Sequence, residues 1–115
     1  MWRGEIYAVD LDPVRGSEAN KRRPAVIVSN DAANLAAARR GRGVVTVVPV
    51  TSNLERVYPF QVPLPADVTG LPRSSKAQAE QVRSVAVERV GTRLGEVPPA
   101  IMVEIDEALR LHLAL

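Results

Sequence analysis

The sequence contains no cysteine. Disulfides and thiolate metal sites are therefore excluded. Absence of cysteine fits a reducing compartment, and a cytoplasmic protein is expected. There is one histidine, His112, in 115 residues. A two-histidine acid/base pair within one chain is impossible, and so is a His-rich metal site. His112 reads as a helix-face residue. Aromatic residues make up only 3% of the chain, which rules out extensive ring stacking as a mode of recognition. The most uniform apolar run, residues 44–50, is far short of the roughly 20 residues that a membrane span needs. The opening MWRGE carries no apolar stretch of signal-peptide kind. No Gly-rich phosphate loop occurs, and the carboxylates are too scattered for a magnesium site. No metal and no cofactor are expected.

What is present is ordinary in amount and uneven in placement. The hydrophobic fraction is 46% and the charged fraction 24%, values usual for a globular protein, and the length fits one domain over residues 1–115. Net charge is +2. Yet residues 15–42 hold seven Lys/Arg (Arg15, Lys21, Arg22, Arg23, Arg39, Arg40, Arg42) against Glu18 and Asp31. From Glu96 onward there are four acids and one arginine. A basic pole and an acidic end suggest a polyanionic partner. The alternative is a solvated loop with ordinary basic residues.

Residues 5–11 (EIYAVDL) alternate and predict a strand. Residues 12–23 (DPVRGSEANKRR) predict a long loop, the kind of connection that often carries function. Residues 24–29 (PAVIVS) are nearly all apolar and predict a central strand. A brief helical turn is expected over residues 34–39, capped by Asn30 or Asp31. Residues 43–51 (GVVTVVPVT) predict a buried strand whose Pro49 needs a bulge or an edge. Residues 58–65 (YPFQVPLP), with three prolines, predict an edge strand, and residues 66–72 a turn. Residues 74–87 predict two short strands or one bent one. Gly91 and Gly95 punctuate the segment between these strands and Pro98. Pro98 and Pro99 open a C-terminal helix whose Ile101, Ile105, Ala108, Leu109 and His112 share a side. Five to seven short strands and then one helix suggest a mainly β fold, a small barrel closed or plugged by a C-terminal helix.

A polar constellation sits near the strand ends. Arg22 and Arg23 precede PAVIVS; Thr51, Ser52 and Asn53 come after GVVTVVPV; Glu18 lies in the loop before the arginines. If these two strands run antiparallel, Arg23 approaches Thr51. Arginine offers a charged planar fork that suits phosphate, and a threonine hydroxyl can donate to a phosphate oxygen.

The stretch GSEANKRRPAVIVSN (16–30) closely resembles the signature of MazF/PemK-like toxins. VPVTSN (48–53), YPFQVPL (58–64), AEQVRSVAVERVG (79–91) and the final EVPPAIMVEIDEALRLHL are similar to later segments of that family, in the same order. The resemblance spans nearly the whole chain. It implies an SH3-like small barrel with a C-terminal helix, assembled as a homodimer. It implies metal-independent cleavage of single-stranded RNA at short motifs, and a MazE-like antitoxin whose acidic and apolar C-terminal segment occupies the RNA groove. It also implies that Arg23 and Thr51 are the catalytic pair. Arg22 departs from the family pattern, and the Arg-Pro adjacency selects Arg23.

Without a metal, the simplest chemistry is attack by the RNA 2′-OH on its own phosphate, giving a 2′,3′-cyclic phosphate and a 5′-OH. Arginine stays protonated and suits charge stabilisation better than proton abstraction. Thr51 would fix a non-bridging oxygen. Glu18 is the candidate base; its alternative is an ion pair with Lys21 or Arg22 that shapes the loop. Gln81, Arg83 and Ser84 offer hydrogen bonds to base edges, and Tyr58 or Phe60 a stacking surface, while Tyr58, Phe60 and Trp2 equally suit a core or a dimer contact, Trp2 and Phe60 above all. Ser17, Lys21, Arg22, Ser52 and Asn53 complete the expected RNA contacts near the cut, and Arg39, Arg40 and Arg42 would grip backbone phosphate. Two other readings stand beside this one. A same-fold gyrase poison would end in Trp-Gly, whereas this chain ends in HLAL. A non-catalytic nucleic-acid-binding barrel would use the basic pole alone.

Overall fold

The valine-rich stretches form strands, as their branching at Cβ favours. The computed structural model describes residues 1–11 and 22–115. Seven strands form among these residues: β1 (Glu5–Asp10), β2 (Arg22–Ile27), β3 (Val44–Thr51), β4 (Gln61–Leu64), β5 (Ser75–Gln78), β6 (Arg83–Ala86) and β7 (Val90–Glu96). Helix α1 (Asp31–Arg40) lies between β2 and β3, the single turn α2 (Ala66–Thr69) between β4 and β5, and α3 (Pro99–Leu113) ends the chain. Every strand pair is antiparallel. The strand order is β4-β5-β3-β2-β1-β7, with β6 also paired to β3. The expected small, mainly β body with a C-terminal helix is what forms.

Both faces of the central strands are buried, which explains the unbroken apolar run PAVIVS. On one face Val26, Val48 and Val50 pack with Val62, Leu64 and the α3 residues Ile105 and Ala108. On the other, Ala25, Ile27, Val45 and Val47 pack with Val9, Leu11, Val85 and the α1 residue Ala37. Full burial of a valine or leucine side chain contributes roughly 1.5–3 kcal/mol, so these two clusters fix the register from both sides.

Several boundaries differ from the sequence reading. The arginines are not in the loop: β2 begins at Arg22, because Asp10 and Val9 of β1 pair with Arg22 and Arg23. The brief turn is a ten-residue helix, capped by the Asn30 side chain accepting from the Ala33 N–H at 2.9 Å and ended by left-handed Gly41 (φ 65°). The edge strand shrinks to Gln61–Leu64 between Pro59 and Pro65. Residues 74–87 resolve into two strands separated by a 3-10 turn (Ala79–Gln81). Pro49 sits where β3 changes partner, from β6 over Val44–Val47 to β5 at Val50 and Thr51. Such a break in pairing tolerates a residue without an N–H.

Gly91 and Gly95 do not punctuate; they lie inside β7. Close approach is the reason. A Cβ on Gly91 would collide with the Arg22 guanidinium and stand 3.1 Å from the Ala8 carbonyl oxygen, and one on Gly95 would collide with the Thr69 carbonyl oxygen. His112 is exposed with Leu111 and Leu113, because α3 packs on β4 and the 79–81 turn through its middle and its last turn leaves that surface. Trp2 is 55% exposed, so it is no core residue of this chain.

Candidate active site

The strand register brings the expected pair together. Val9 pairs with Arg23, and Ala25 with Pro49. Continuing the β2–β3 register by two residues sets Arg23 opposite Thr51, which in turn pairs with Lys76 of β5. Residues opposite each other in neighbouring strands point to the same face. Arg23 and Thr51 therefore extend the face that carries Ala25, Ile27, Val45 and Val47, just past the point where that face stops being core.

At this edge a cavity of about 290 Å³ opens, lined by Leu11, Arg23, Pro49, Gln78, Gln81 and Arg83. Leu11 and Pro49 continue the apolar face; Arg23, two carboxamides and Arg83 form the polar walls. Arg23 is exposed and has no ion pair or side-chain hydrogen bond among the described residues. Three residues singled out from sequence, Arg23, Gln81 and Arg83, thus share one cavity. Gln78 joins them and was missed. Its signal was the alternation in SKAQ, which places Gln78 on the side of Lys76 once that segment is taken as a strand.

Thr51 is half-buried, and its Oγ1 accepts the Asn53 N–H at 3.2 Å. This uses a lone pair and leaves the hydroxyl hydrogen to donate outward. The Asn53 side-chain oxygen accepts the Glu55 N–H at 3.1 Å, so its carboxamide is partly committed to the turn. Tyr58 is exposed and stacks in parallel on Phe60, centroids 5.3 Å apart. Its N–H donates to Gln61 Oε1 at 3.1 Å, and Gln61 Nε2 donates to Glu80 Oε2 at 2.7 Å. The aromatic pair is thereby tied to the turn that carries Gln81.

Other expected residues lie elsewhere. Strand alternation turns Arg22 away from Arg23, with its guanidinium against Gly91. Ser52 lines a separate cavity with Pro24 and Val50, on the opposite side of the same strand ends. Ser84 pairs with Thr46, whereas its neighbour Arg83 pairs with Val47, so Ser84 faces away from the first cavity. Arg39 and Arg40 form the last turn of α1, and Arg42 precedes β3. Thr51 is at the far end of β3, about 25 Å away at strand rise, so the basic stretch is not one pole. Ser17, Glu18 and Lys21 lie outside the described residues. Among the described residues no three His, Asp or Glu side chains gather as a metal-binding group.

The perturbed titrations lie at a different corner. The Glu5 carboxylate accepts from the Trp2 N–H at 2.6 Å, Arg93 Nε at 2.6 Å and the Tyr7 hydroxyl at 3.1 Å. Burial pushes the Glu5 pKa up, but these donors outweigh it and hold the carboxyl below its ordinary value. Burial, then the bond to Glu5, raises the Tyr7 pKa; that same carboxylate raises the Arg93 pKa.

Residues 2–113 match the profile of the PemK-like, MazF-like toxins of type II toxin–antitoxin systems. The chain belongs to this family. It is 64% identical over 115 residues to the endoribonuclease MazF9 of Mycobacterium tuberculosis, covering all of this chain and 98% of the relative. It is 32% identical over 114 residues to the endoribonuclease EndoA of Bacillus subtilis, covering 98% and 94%. A solved mycobacterial endoribonuclease in complex with its cognate antitoxin superimposes with a TM-score of 0.75 at 30% identity, covering 100% of this chain and 96% of that one. The fold of this MazF-like toxin is therefore that of the solved family members. The cavity takes Arg23 from the Arg-Pro step and Pro49 from VPVTSN, two of the places that carry the resemblance.

Proposed function

We propose that this toxin cuts single-stranded RNA at the corner where Arg23 meets Thr51. The chain is an endoribonuclease toxin of a toxin–antitoxin system, in keeping with its family and its full-length relatives. Neither a gyrase poison nor a passive binding barrel is favoured by any observation. The observation that carries the assignment is the cavity itself. It holds an exposed arginine without a partner among the described residues beside two carboxamides, and the β2–β3 register sets that arginine opposite Thr51, whose Oγ1 accepts the Asn53 N–H and keeps its hydrogen to donate.

The RNA 2′-oxygen attacks the adjacent phosphorus, and the bond from phosphorus to the 5′-oxygen breaks. The products are a 2′,3′-cyclic phosphate and a 5′-OH, and the nucleophile belongs to the substrate, so DNA is not cut. Arg23 neutralises the charge that builds on the phosphorane, a role worth about 10²–10³ in rate for one well-placed donor. Thr51 donates to a non-bridging oxygen and fixes the phosphate. Glu18 takes the 2′ proton, and the leaving 5′-oxygen takes a proton from Arg23 or from water. Gln78, Gln81 and Arg83 read a base edge in the cavity, and the exposed Tyr58 ring, stacked on Phe60, offers a stacking platform. Ser17, Lys21 and Asn53 contact the strand near the cut. Arg39, Arg40 and Arg42 are too distant to act there. The toxin acts as a cytoplasmic homodimer of single-domain chains, and a MazE-like antitoxin silences it by laying an acidic and apolar segment over the same groove.

The test is incubation of purified, antitoxin-free protein with a long single-stranded RNA in EDTA. Discrete fragments with 5′-OH ends are expected, and none with Arg23→Ala or Thr51→Ala. Intact RNA under all conditions would sink the proposal.

A further inference from the structure

The first cavity has a counterpart on the other side of the same strand ends. Arg23 lines the 290 Å³ cavity, and the next residue, Pro24, lines a second of about 230 Å³. Thr51 stands in the Arg23 row, and the next residue, Ser52, lines the second cavity. The dipeptides Arg23-Pro24 and Pro49-Val50 thus wall both cavities, because successive residues of a strand face opposite sides. The floor of the second cavity is apolar: Val50 is 1% and Leu71 4% exposed, with the Pro24 and Pro72 rings beside them. Its rim is polar, formed by Ser52, Arg73 and Ser75. Ser75 Oγ donates to the Arg73 carbonyl at 3.0 Å, which leaves the oxygen as an acceptor. Arg73 is exposed, and among the described residues it forms no ion pair and no carboxylate lines this cavity.

We propose that this second cavity is a subsite for one base of the substrate RNA, that of the nucleotide adjoining the pair that is cut, with Arg73 holding its phosphate. The inference rests on the reading of the Arg23–Thr51 corner as the place of cleavage. An RNA strand with a phosphate at that corner must cross the ridge where β2 begins and β3 ends. Unstacked nucleotides of a single strand splay, so one base enters the first cavity and its neighbour drops over the ridge into the second. A flat base suits a cavity lined by Pro24, Pro72 and Leu71, and the Ser52 and Ser75 hydroxyls meet its polar edge. An aliphatic peptide side chain would fill the floor but offer nothing to the Ser52 hydroxyl or to the acceptor side of Ser75 Oγ, an arrangement that costs affinity. The guanidinium matches the phosphate that accompanies the base.

The experiment is cleavage of a randomised RNA pool by antitoxin-free protein, with the cut sites read by sequencing. It compares the wild type with Arg73→Ala, with Ser52→Phe, which fills the cavity, and with Arg110→Ala, which removes a distant charge on α3. Arg73 and Ser52 are exposed, so both variants are expected to fold; melting curves check this. The wild type should show a preference at one position beside the cut that both cavity variants flatten. The preferred sequence should lose about tenfold in kcat/KM, mainly through KM, while preferences elsewhere persist. Arg110→Ala should give the wild-type profile. Wild-type profiles from Arg73→Ala and Ser52→Phe would overturn the subsite, as would an equal loss at every position. Weakened antitoxin binding with an unchanged RNA profile would give the cavity to a peptide and also overturn it. Intact RNA from the wild type would overturn the cleavage reading itself, and the subsite with it.

Discussion

Two corners of this sheet hold arginines, and they hold them differently. At the start of β1, Arg93 of β7 bonds Glu5 at 2.6 Å and reaches Glu96 at 3.5 Å, and Glu5 also takes the Trp2 N–H and the Tyr7 hydroxyl. Nearby, Arg3 donates to the Val28 carbonyl at 2.7 Å and to Asp106 at 2.6 Å. That corner is internally satisfied. At the start of β2, Arg23 lines a cavity and bonds no acid among the described residues. On the proposed reading, this cation, without a partner among the described residues and beside apolar Leu11 and Pro49, meets an anion from outside. The residue type is the same at both corners; the partners separate structure from chemistry.

The strongest way to break this contrast is to remove each arginine in turn. Arg23→Ala should lower the cleavage rate by about 10²–10³ and leave the melting temperature near that of the wild type. Arg93→Ala should do the reverse, lowering stability while the rate per folded molecule persists. Equal losses of stability in the two variants would erase the distinction. Thr51→Val comes next. It keeps the shape of the side chain and removes the hydroxyl, and a lost bond to a charged phosphate corresponds to roughly 10–100-fold in rate. Thr51→Ser should recover most of it. A valine variant with wild-type kcat would exclude the hydroxyl from the reaction.

The third prediction concerns the wall between the corners. Arg22 lies against Gly91, so Gly91→Ala forces the guanidinium aside and brings a methyl to 3.1 Å from the Ala8 carbonyl oxygen. Overpacking of this kind costs about 1–3 kcal/mol. Urea unfolding should register that loss with the cut sites unchanged. A fully stable Gly91→Ala variant would mean that Arg22 is not confined there.

The contrast explains what was legible in the sequence. The juxtaposition of Arg23 and Thr51 was, because a hydrophobic run and its neighbour carry their own register: PAVIVS and GVVTVVPV must align their buried faces, and that alignment sets Arg23 opposite Thr51. The α3 core positions Ile105 and Ala108 were legible for the same reason, through helical spacing. Gln78 was hidden although its segment reads as a strand, because which face a short polar strand turns to the site is set by its partners, Gln61–Leu64 on one side and Val50 and Thr51 on the other. β7 was hidden by its glycines, which read locally as breaks but are demanded by Arg22 and by the Thr69 carbonyl, contacts distant in sequence. Charge counting misled for a related reason. It added Arg39, Arg40 and Arg42 to Arg22 and Arg23, although β3 carries the chain to the other end of the sheet between them.

The smallest effect expected belongs to the satisfied corner, and it depends on pH. The Glu5 side chain is 15% exposed, and its donors hold its pKa below the ordinary carboxylate value despite burial. The folded state therefore binds this proton less readily than the unfolded state. The stability that Glu5 contributes is complete above the unfolded value of about 4.3 and is lost as pH falls through the lower folded value. Glu5→Gln keeps the size and one acceptor oxygen but not the charge. It should cost about 1–2 kcal/mol near neutrality, the scale of a hydrogen bond to a charged group. The gap between wild type and variant should then close as the solution is acidified. Urea titrations at a series of pH values measure that gap. A gap that stays constant into acid would show that Arg93 and the Trp2 N–H do not favour the charged carboxylate, and the two corners would no longer differ in the way proposed.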